Sequence, residues 1–267
     1  MKKIFCWFLL LVFHCGSAQV SVVSWNIANF GKSKSDSTIV FIAKTLENFD
    51  IVALQEVVAG NGGAQAVARL ASELNRTGSK WDYIVSDPTT GNPHQSERYA
   101  FLWKTATIKK IGKAWLDSTY SAEIEREPYL CRFQYEQKVF TLVSFHAIPK
   151  KRQPETEIKY FKFFPQIYSS ENLVFSGDFN LPQSHTVFHP LRKIGFKPTL
   201  TNSKTSLRQN CDKGDCLASE YDNIWYDSAK IFTTESDTIP FHLNFSEMQE
   251  ARKVSDHLPV FTCLYLL

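Results

Sequence analysis

Acidic, amide and imidazole side chains stand where the predicted strands of this chain end. Five strands run at their C-terminal ends into such groups, at Asn26 in S-W-N, Glu56 in L-Q-E, His146 in S-F-H, Asp178 and Asn180 in S-G-D-F-N, and Asp222 in Y-D-N. A sixth group, Asp256 and His257 in S-D-H, opens onto the last predicted strand. Because loops at one edge of an α/β sheet converge, ligands and catalysts gather there. We therefore expect these side chains to form one site.

The residue types in this set predict metal-assisted hydrolysis. Carboxylate and amide oxygens are the ligands that Mg²⁺, Mn²⁺ and Ca²⁺ prefer, whereas zinc or copper recruits more histidine or cysteine. Histidine titrates near neutral pH and can exchange protons with an attacking or a departing oxygen. Alone, each group has a structural explanation, such as a turn cap for Asn26 or a hydrogen-bonded imidazole for His146. Together they supply what phosphodiester cleavage needs: activated water, a proton donor and positive charge at the phosphoryl oxygens.

The elements that must position these groups alternate between apolar strands and amphipathic helices. We predict helices over residues 37–49, with Asp36 as a cap, over residues 64–75, and over residues 155–164, the last ended by Pro165. Strands are predicted over residues 20–25, 51–55, 83–85, 100–103, 130–133, 139–145, 173–176, 223–226 and 260–264. Strands that alternate with helices and also run in pairs predict a layered α/β sandwich of one domain, residues 19–267.

The N-terminal segment, residues 1–18, is typical of a signal peptide. A basic start precedes an apolar run over residues 4–13, which is shorter than the ~20 residues that span a bilayer. Small residues at Gly16 and Ala18 favour cleavage before Gln19. A lipid anchor on Cys15 is the alternative, and the bulky residues before it disfavour it. We therefore expect a secreted or periplasmic monomer without stable membrane association.

The charge balance does not select a partner. The chain carries 30 Lys and Arg against 27 Asp and Glu, so any attraction for a polyanion must come from a local patch. Lys150, Lys151 and Arg152 could supply phosphate contacts, or they could form a solvated loop.

The cysteines of the mature chain predict one local disulfide. Cys211 and Cys216 stand close together in N-C-D-K-G-D-C, and export favours a bridge between them. Zinc is the alternative, but no CxxC motif or nearby histidine supports it. Cys131 and Cys263 lie in strand-like runs and are expected to be buried free thiols.

The order and wording of the motifs resemble the endonuclease/exonuclease/phosphatase superfamily, and within it the secreted deoxyribonuclease I family. The matching segments are S-W-N-I-A-N-F-G from Ser24, D-I-V-A-L-Q-E-V from Asp50, E-R-Y-A-F-L-W from Glu97, R-E-P from Arg126, F-H-A-I-P from Phe145, G-D-F-N from Gly177, Y-D-N-I from Tyr221 and S-D-H-L-P-V from Ser255. They extend over about residues 20–260 in the family's order. The resemblance implies a four-layered α/β sandwich, in which two mixed β-sheets pack face to face and are flanked by helices. It also implies a metal-dependent endonuclease that hydrolyses DNA.

The resemblance further implies how the oxygen ligands are used. Glu56 matches the family's metal-binding glutamate, and Asn26 and Asp256 complete or support that site. Asp178 and Asn180 match the residues that position metal, water and the scissile phosphate. Mg²⁺ or Mn²⁺ is the implied cofactor, with Ca²⁺ as an additional structural or activating ion.

The proton-transfer groups also have counterparts in the family. His146 and His257 match the two catalytic histidines. Glu97 matches the carboxylate that orients the first histidine, and Asp222 the one that orients the second. Arg126 matches a phosphate-contacting arginine.

Two positions depart from the deoxyribonuclease I pattern. Val58 stands where that family usually has an arginine, and Gln95 stands where it has a tyrosine. In the family both side chains enter the minor groove of DNA. The departures leave the chemistry intact but not the identity of the substrate. The enzyme could bind duplex DNA in a different way, or it could accept single-stranded DNA or RNA.

Other functions fit the same motifs. A sphingomyelinase, an inositol-phosphate phosphatase or an abasic-site endonuclease shares the core, and residues 239–245 are the nearest candidate for the apolar hairpin of a sphingomyelinase. The signal peptide disfavours an abasic-site enzyme. A binding module without catalysis is the last alternative, and it is disfavoured because no histidine or metal carboxylate of the pattern is missing.

Overall fold

Two β-sheets form the centre of this computed structural model, which describes residues 19–92 and 95–267. The predicted signal peptide, residues 1–18, lies outside the described residues. The strands are β1 (Gln19–Phe30), β2 (Ile51–Val58), β3 (Trp81–Val85), β4 (Glu97–Lys104), β5 (Ile108–Leu116), β6 (Tyr129–Tyr135), β7 (Lys138–His146), β8 (Leu173–Asp178), β9 (Phe196–Pro198), β10 (Leu207–Asp212), β11 (Asp215–Leu217), β12 (Asp222–Asp227), β13 (Ile231–Thr238) and β14 (Val260–Leu266). The α-helices are α1 (Asp36–Leu46), α2 (Gly63–Arg76), α3 (Glu155–Ile158), α4 (Phe164–Ile167), α5 (His189–Lys193) and α6 (Met248–Val254).

Each of the two sheets has six strands and is mixed. The first has the order β13-β14-β1-β2-β4-β3, and the second has the order β5-β6-β7-β8-β12-β9. In each sheet the only parallel pair among the described strands lies near the middle, β1 with β2 and β7 with β8. Strands β10 and β11 form a separate hairpin, and a Cys211–Cys216 disulfide bridges it, as predicted.

Apolar side chains hold the layers together. Between the sheets, the rings of Phe101 and Phe133 meet edge to face with centroids 5.7 Å apart, within a fully buried cluster. Helices α1, α2 and α6 cover the outer face of the first sheet. On the second sheet, Phe161 and Phe175 lie 5.0 Å apart beneath α3, α4 and α5. The predicted four-layered sandwich is confirmed. None of the helices in the described residues has the length and hydropathy needed to cross a membrane.

The sequence pattern missed the polar edge strands. Strands β5 and β13 lie at sheet edges, and most of their side chains are exposed or half-buried, so neither forms an apolar run. Cys131 and Cys263 are buried free thiols, as expected.

Two predictions about helix ends were wrong. Helix α1 is capped by Ser35, whose hydroxyl accepts the Thr38 N–H at 3.2 Å, and Asp36 is already the first helical residue. The helix predicted over residues 155–164 is instead broken into α3, a 3₁₀ turn at Phe161–Phe163, and α4. Pro165 lies in the first turn of α4, where the missing N–H of proline costs nothing.

One edge of the sandwich collects the strand ends that carry polar residues. In the second sheet His146 pairs directly with Asp178, at the carboxyl ends of β7 and β8. The antiparallel strand β12 begins at this edge, because its first residue, Asp222, also pairs with Asp178. Asp222 therefore begins a strand rather than following one, a correction to the sequence interpretation. Strand β4 likewise begins at Glu97.

Gly177 brings the strands at this edge close together. Its φ is +139°, and a Cβ atom there would lie 1.9 Å from the backbone oxygen of Phe145.

We expect Gly177→Ala to lower the free energy of unfolding by about 3 kcal/mol or more, measured by urea denaturation. Gly60→Ala is the matched control, because nothing lies within 4 Å of its added methyl group. Equal stability of the two variants would contradict the prediction.

Candidate active site

Asp178 is the buried carboxylate on which both histidines converge. Its Oδ2 atom lies 3.5 Å from Nε2 of His146 and 3.6 Å from Nε2 of His257. Its Oδ1 atom accepts the backbone N–H of Asn180 at 2.8 Å. Burial opposes its ionisation, but the charges of His257 and His146 prevail and lower its pKa. The side chain is therefore an anion at the centre of the site.

The first histidine is oriented by a carboxylate and an arginine. Nδ1 of His146 lies 2.9 Å from Oε2 of Glu97, and Nη1 of Arg126 lies 3.3 Å from the same oxygen. The Nε–H of Arg126 also donates to the backbone oxygen of His146 at 2.9 Å. Burial and the Arg126 charge lower the pKa of His146, but Glu97 outweighs them and the net shift is upward. Glu97 thus fixes the ring and favours its charged form, as the resemblance implied.

The second histidine has a matching partner. Nδ1 of His257 lies 2.8 Å from Oδ2 of Asp222. Burial lowers the pKa of His257, but Asp222 and Asp178 raise it well above its usual value. Burial, together with the Asp178 charge, raises the pKa of Asp222 to about 6, despite the opposing effect of His257. Both predicted carboxylate–histidine pairs are therefore present.

Thr205 is a member of the site that sequence reasoning missed. Its hydroxyl donates to Oδ2 of Asp222 at 2.6 Å and accepts the backbone N–H groups of Tyr221 and Asp222 at 3.1 and 2.9 Å. The residue is fully buried. A lone threonine in the polar run K-T-S-L has no spacing that distinguishes it, so the sequence offered no signal.

The oxygens around Asn26 fit a hard cation. Nδ2 of Asn26 lies 3.1 Å from Oε1 of Glu56 and 3.1 Å from Oδ2 of Asp178, while its Oδ1 atom is buried without a hydrogen-bond partner. The two ends of a carboxamide have nearly the same shape, and rotation would direct the oxygen between the carboxylates. Octahedral Mg²⁺ with oxygens at ~2.1 Å has neighbouring ligands ~3.0 Å apart. The donor types and the unpaired oxygen both match such an ion.

The backbone at this cluster is strained. Glu56 has a φ of +59°, and Asn29, whose N–H donates to Oε2 of Glu56 at 3.0 Å, has a φ of +51°. Positive φ is unfavourable for such residues and is found where a site requires it.

A second group of donors meets at Asp178, Asp222 and His257, whose candidate ligand atoms lie within 4.8 Å of one another. The Oδ2 atom of Asp222 is engaged by Thr205 and by Nδ1 of His257, while its Oδ1 atom is buried without a hydrogen-bond partner. A cation that used the Oδ2 atom would compete with the pair that orients the imidazole. Two groups of donors, Glu56 with Asn26 and Asp178, and Asp178 with Asp222 and His257, could therefore hold a metal ion.

Asp256 and Arg126 are placed differently from the other predicted residues. The Asp256 carboxylate pairs with Arg252 at 3.2 Å, and its side chain is 37% exposed. No hydrogen bond of the described residues joins it to Glu56, so its role as a metal ligand stays a prediction.

Arg126 is 6% exposed and donates hydrogen bonds to Glu97 and to the backbone oxygens of His146 and Ala147. It orients the first histidine, and its phosphate contact stays a prediction.

Asn180 directs its side chain at the backbone beside the first histidine. Its Nδ2 donates to the backbone oxygen of Ala147 at 3.0 Å, and its own φ is +52°. The structure thus brings Asn180 to the site, next to Asp178.

A cavity of about 320 Å³ opens beside the first histidine, and its lining includes Glu56, Val58, Gln95, Glu97, Arg126 and His146. The two residues that depart from the deoxyribonuclease I pattern therefore face the same space as the chemistry. Oε1 of Gln95 accepts from Nη1 of Arg152 at 2.6 Å, and Glu125 lies 2.5 Å from Nη2 of Arg152. This ion pair neutralises Arg152, which favours the solvated-loop interpretation over a phosphate contact at that residue.

A family model described as the endonuclease/exonuclease/phosphatase family matches residues 23–257. The chain belongs to this family. It is therefore a hydrolase with the family's metal-dependent phosphodiesterase or nuclease chemistry. A deoxyribonuclease from Thioalkalivibrio sp. (strain K90mix) is 27% identical over 265 residues, covering 91% of this chain and 70% of that protein.

Solved structures of low identity share the fold. An endonuclease/exonuclease/phosphatase family protein from Bacteroides thetaiotaomicron has a TM-score of 0.66 at 17% identity, covering 92% of this chain and 97% of that one. TDP2 from D. rerio, complexed with a single-strand DNA product, has a TM-score of 0.64 at 13% identity, covering 92% and 98%. A mannosyl-6-phosphatase from B. thetaiotaomicron VPI-5482 has a TM-score of 0.62 at 18% identity, covering 92% and 99%.

The contacts of Thr205 lead to a test of its role. Thr205→Val removes the hydroxyl that fixes Asp222 while keeping the shape of the side chain. We expect kcat to fall about 10- to 100-fold, the usual loss when a group that orients a catalytic residue is removed. Thr45→Val, which removes a hydroxyl bonded within helix α1, is the control. A Thr205→Val enzyme as active as the control would contradict the role.

Proposed function

We propose that this protein is a secreted, divalent-metal-dependent endonuclease that hydrolyses phosphodiester bonds of DNA. The observation that carries the proposal is the convergence of two carboxylate-paired histidines on Asp178, next to the oxygen ligands of Glu56 and Asn26. The similarity to a deoxyribonuclease supports DNA as the substrate.

The residues divide the work of hydrolysis. Glu97 and Asp222 engage the Nδ1 atoms, so the Nε2 atom of each imidazole faces Asp178 and the substrate. There the two imidazoles exchange protons with the attacking water and the departing oxygen. Glu56, Asn26 and Asp178 would hold a divalent cation, which when bound would supply positive charge to the phosphoryl oxygens.

The structure of residues 239–245 disfavours the sphingomyelinase alternative. Residues 239–245 were the nearest candidate for a membrane-binding hairpin, but they contain a 3₁₀ turn, Phe241–Asn244. Within it Phe241 is buried against Trp25, with ring centroids 5.2 Å apart, and Leu243 is the one exposed apolar residue of this turn, at 73%. One exposed leucine is a small apolar surface for a lipid bilayer.

Export remains part of the proposal. The Cys211–Cys216 bridge supports it, because local disulfides persist in oxidising compartments outside the cytosol. Cleavage near Ala18 would leave a chain that begins at Gln19. We propose a monomer in the periplasm or the medium.

The metal and both histidines should be required. We expect nicking of supercoiled plasmid to need Mg²⁺ or Mn²⁺, to stop on chelation, and to fall by about 10³-fold or more in His146→Ala and in His257→Ala, since each imidazole acts in proton transfer. Lys109→Ala, a change at an exposed position of strand β5, is the control. A purified variant with both His146→Ala and His257→Ala that nicked plasmid at the wild-type rate would contradict the proposal.

The substrate class needs its own experiment. Plasmid DNA, a single-stranded DNA oligonucleotide, RNA and sphingomyelin vesicles are compared at equal enzyme concentration with Mg²⁺. We expect DNA to be cut fastest and sphingomyelin not to be cleaved. Because Val58 and Gln95 replace the groove-binding side chains, we expect single-stranded DNA to be cut at least as fast as duplex. Preferential cleavage of RNA or sphingomyelin would replace the proposed substrate with that one.

A further inference from the structure

Lys34 is a buried cation that the mechanism above does not use. It lies in the turn between β1 and α1 and is 5% exposed. Its Nζ atom donates to the backbone oxygens of Lys253 at 2.9 Å and of Val254 at 2.7 Å. These are the last two residues of α6, where helix carbonyls have no partner within the helix. The ammonium group therefore caps the end of this helix.

The capped helix delivers the second histidine. Ser255, Asp256 and His257 follow α6 directly. The Ser255 hydroxyl donates to the backbone oxygen of Asn26 at 2.6 Å and accepts the N–H of His257 at 3.0 Å. Ser255 therefore joins the end of α6 to both Asn26 and His257.

Lys34 is itself held firmly. The guanidinium of Arg69, on α2, donates twice to the backbone oxygen of Lys34, at 3.2 and 3.3 Å. Arg69 also pairs with Asp36 at 2.5 Å. The turn that carries Lys34 is thus braced against α2 on one side while its side chain reaches α6 on the other.

Burial and nearby carboxylates act in opposite directions on the ionisation of Lys34. Burial lowers the pKa of Lys34 to about 8, and the charges of Glu56 and Asp256 oppose that shift. A buried ammonium is costly unless it is hydrogen-bonded and has opposite charges nearby, and here it has both.

We propose that Lys34 is a positioning residue for hydrolysis: it clamps the end of α6 and thereby sets the position of Asp256 and His257 relative to the metal ligands Asn26 and Glu56. The inference rests on the proposed function of His257. Lys34 does not touch the reacting atoms, and its effect passes through the Ser255–His257 segment.

The test uses the full mature chain and bis(p-nitrophenyl) phosphate, a phosphodiester that contains no nucleic acid, with saturating Mn²⁺. Lys34→Met keeps the aliphatic length but removes the ammonium. Because a displacement of about 1 Å at a catalytic group can cost about 100-fold, we expect a loss of kcat of that order with KM changed less than about twofold. Lys44→Met, an exposed change on α1, is the surface control.

A merely structural role is separated by two further measurements. Leu70→Ala destabilises the protein from the core of α2 and should keep its kcat despite a lower melting temperature. Lys34→Ala should regain activity when n-propylammonium, which replaces the deleted atoms, is added, and not with n-propanol. A Lys34→Met enzyme as active as Lys44→Met, or a Leu70→Ala enzyme that loses as much kcat, overturns the inference, and so does the absence of amine rescue.

The outcome is distinguishable from failure of the proposed function. His257→Ala is assayed on the same ester. If His257→Ala stays active, the proposed function fails. If His257→Ala is inactive while Lys34→Met is fully active, the proposed function stands and the clamp is wrong.

Discussion

The structure depends on one buried carboxylate that serves two imidazoles. Asp178 is 1% exposed, and Nε2 atoms of both His146 and His257 lie within 3.6 Å of its Oδ2 atom. A buried anion without partners would cost several kcal/mol, so these contacts are conditions for folding as well as for chemistry. The second sheet supplies Asp178 and His146 as register neighbours, whereas Asn26 reaches Asp178 from the first sheet. The packing of the two sheets is therefore what assembles the site.

The remaining polar residues keep these contacts in place. Arg126 and Glu97 fix the first imidazole, and Thr205 and Asp222 fix the second. The two carboxylate–histidine pairs are built alike, but the residues that hold them in place come from unrelated segments of the chain. Lys34 adds a third support by capping the helix that precedes the second imidazole. Each support is a charged or hydroxyl group in a buried setting, where hydrogen bonds are strong and unpaired groups are costly.

The residues that the sequence predicted share one property, which is that their signal is local. His146 and Asp178 end buried strands, whereas Asn26 and Glu56 follow the apolar part of β1 and β2 within those strands. In each case an apolar run followed by a polar residue is enough to detect the position. The sandwich itself followed from the same runs. Thr205 carries no such signal, because its partner Asp222 is 17 residues away and only the fold brings them together.

Edge strands and helix breaks were missed for a related reason. Strand β13 is polar because it faces solvent, and the 155–164 segment has a helical pattern but is divided into α3, a 3₁₀ turn and α4. The sequence also gives no signal for the role of Lys34, since a lysine in a polar turn is normally exposed. Sequence patterns indicate which apolar side chains are buried. The residues that hold this site in place are buried polar ones, which such patterns do not detect.

The most direct test of this account is the position of the metal. A crystal of the protein grown with Mn²⁺ and measured for anomalous scattering would locate the ion without reference to activity. The account predicts a peak bounded by Glu56, Asn26 and Asp178, with the Asp222–His257 pair intact. A peak among Asp178, Asp222 and His257 that separates this pair, or no ion near Asn26, would contradict it.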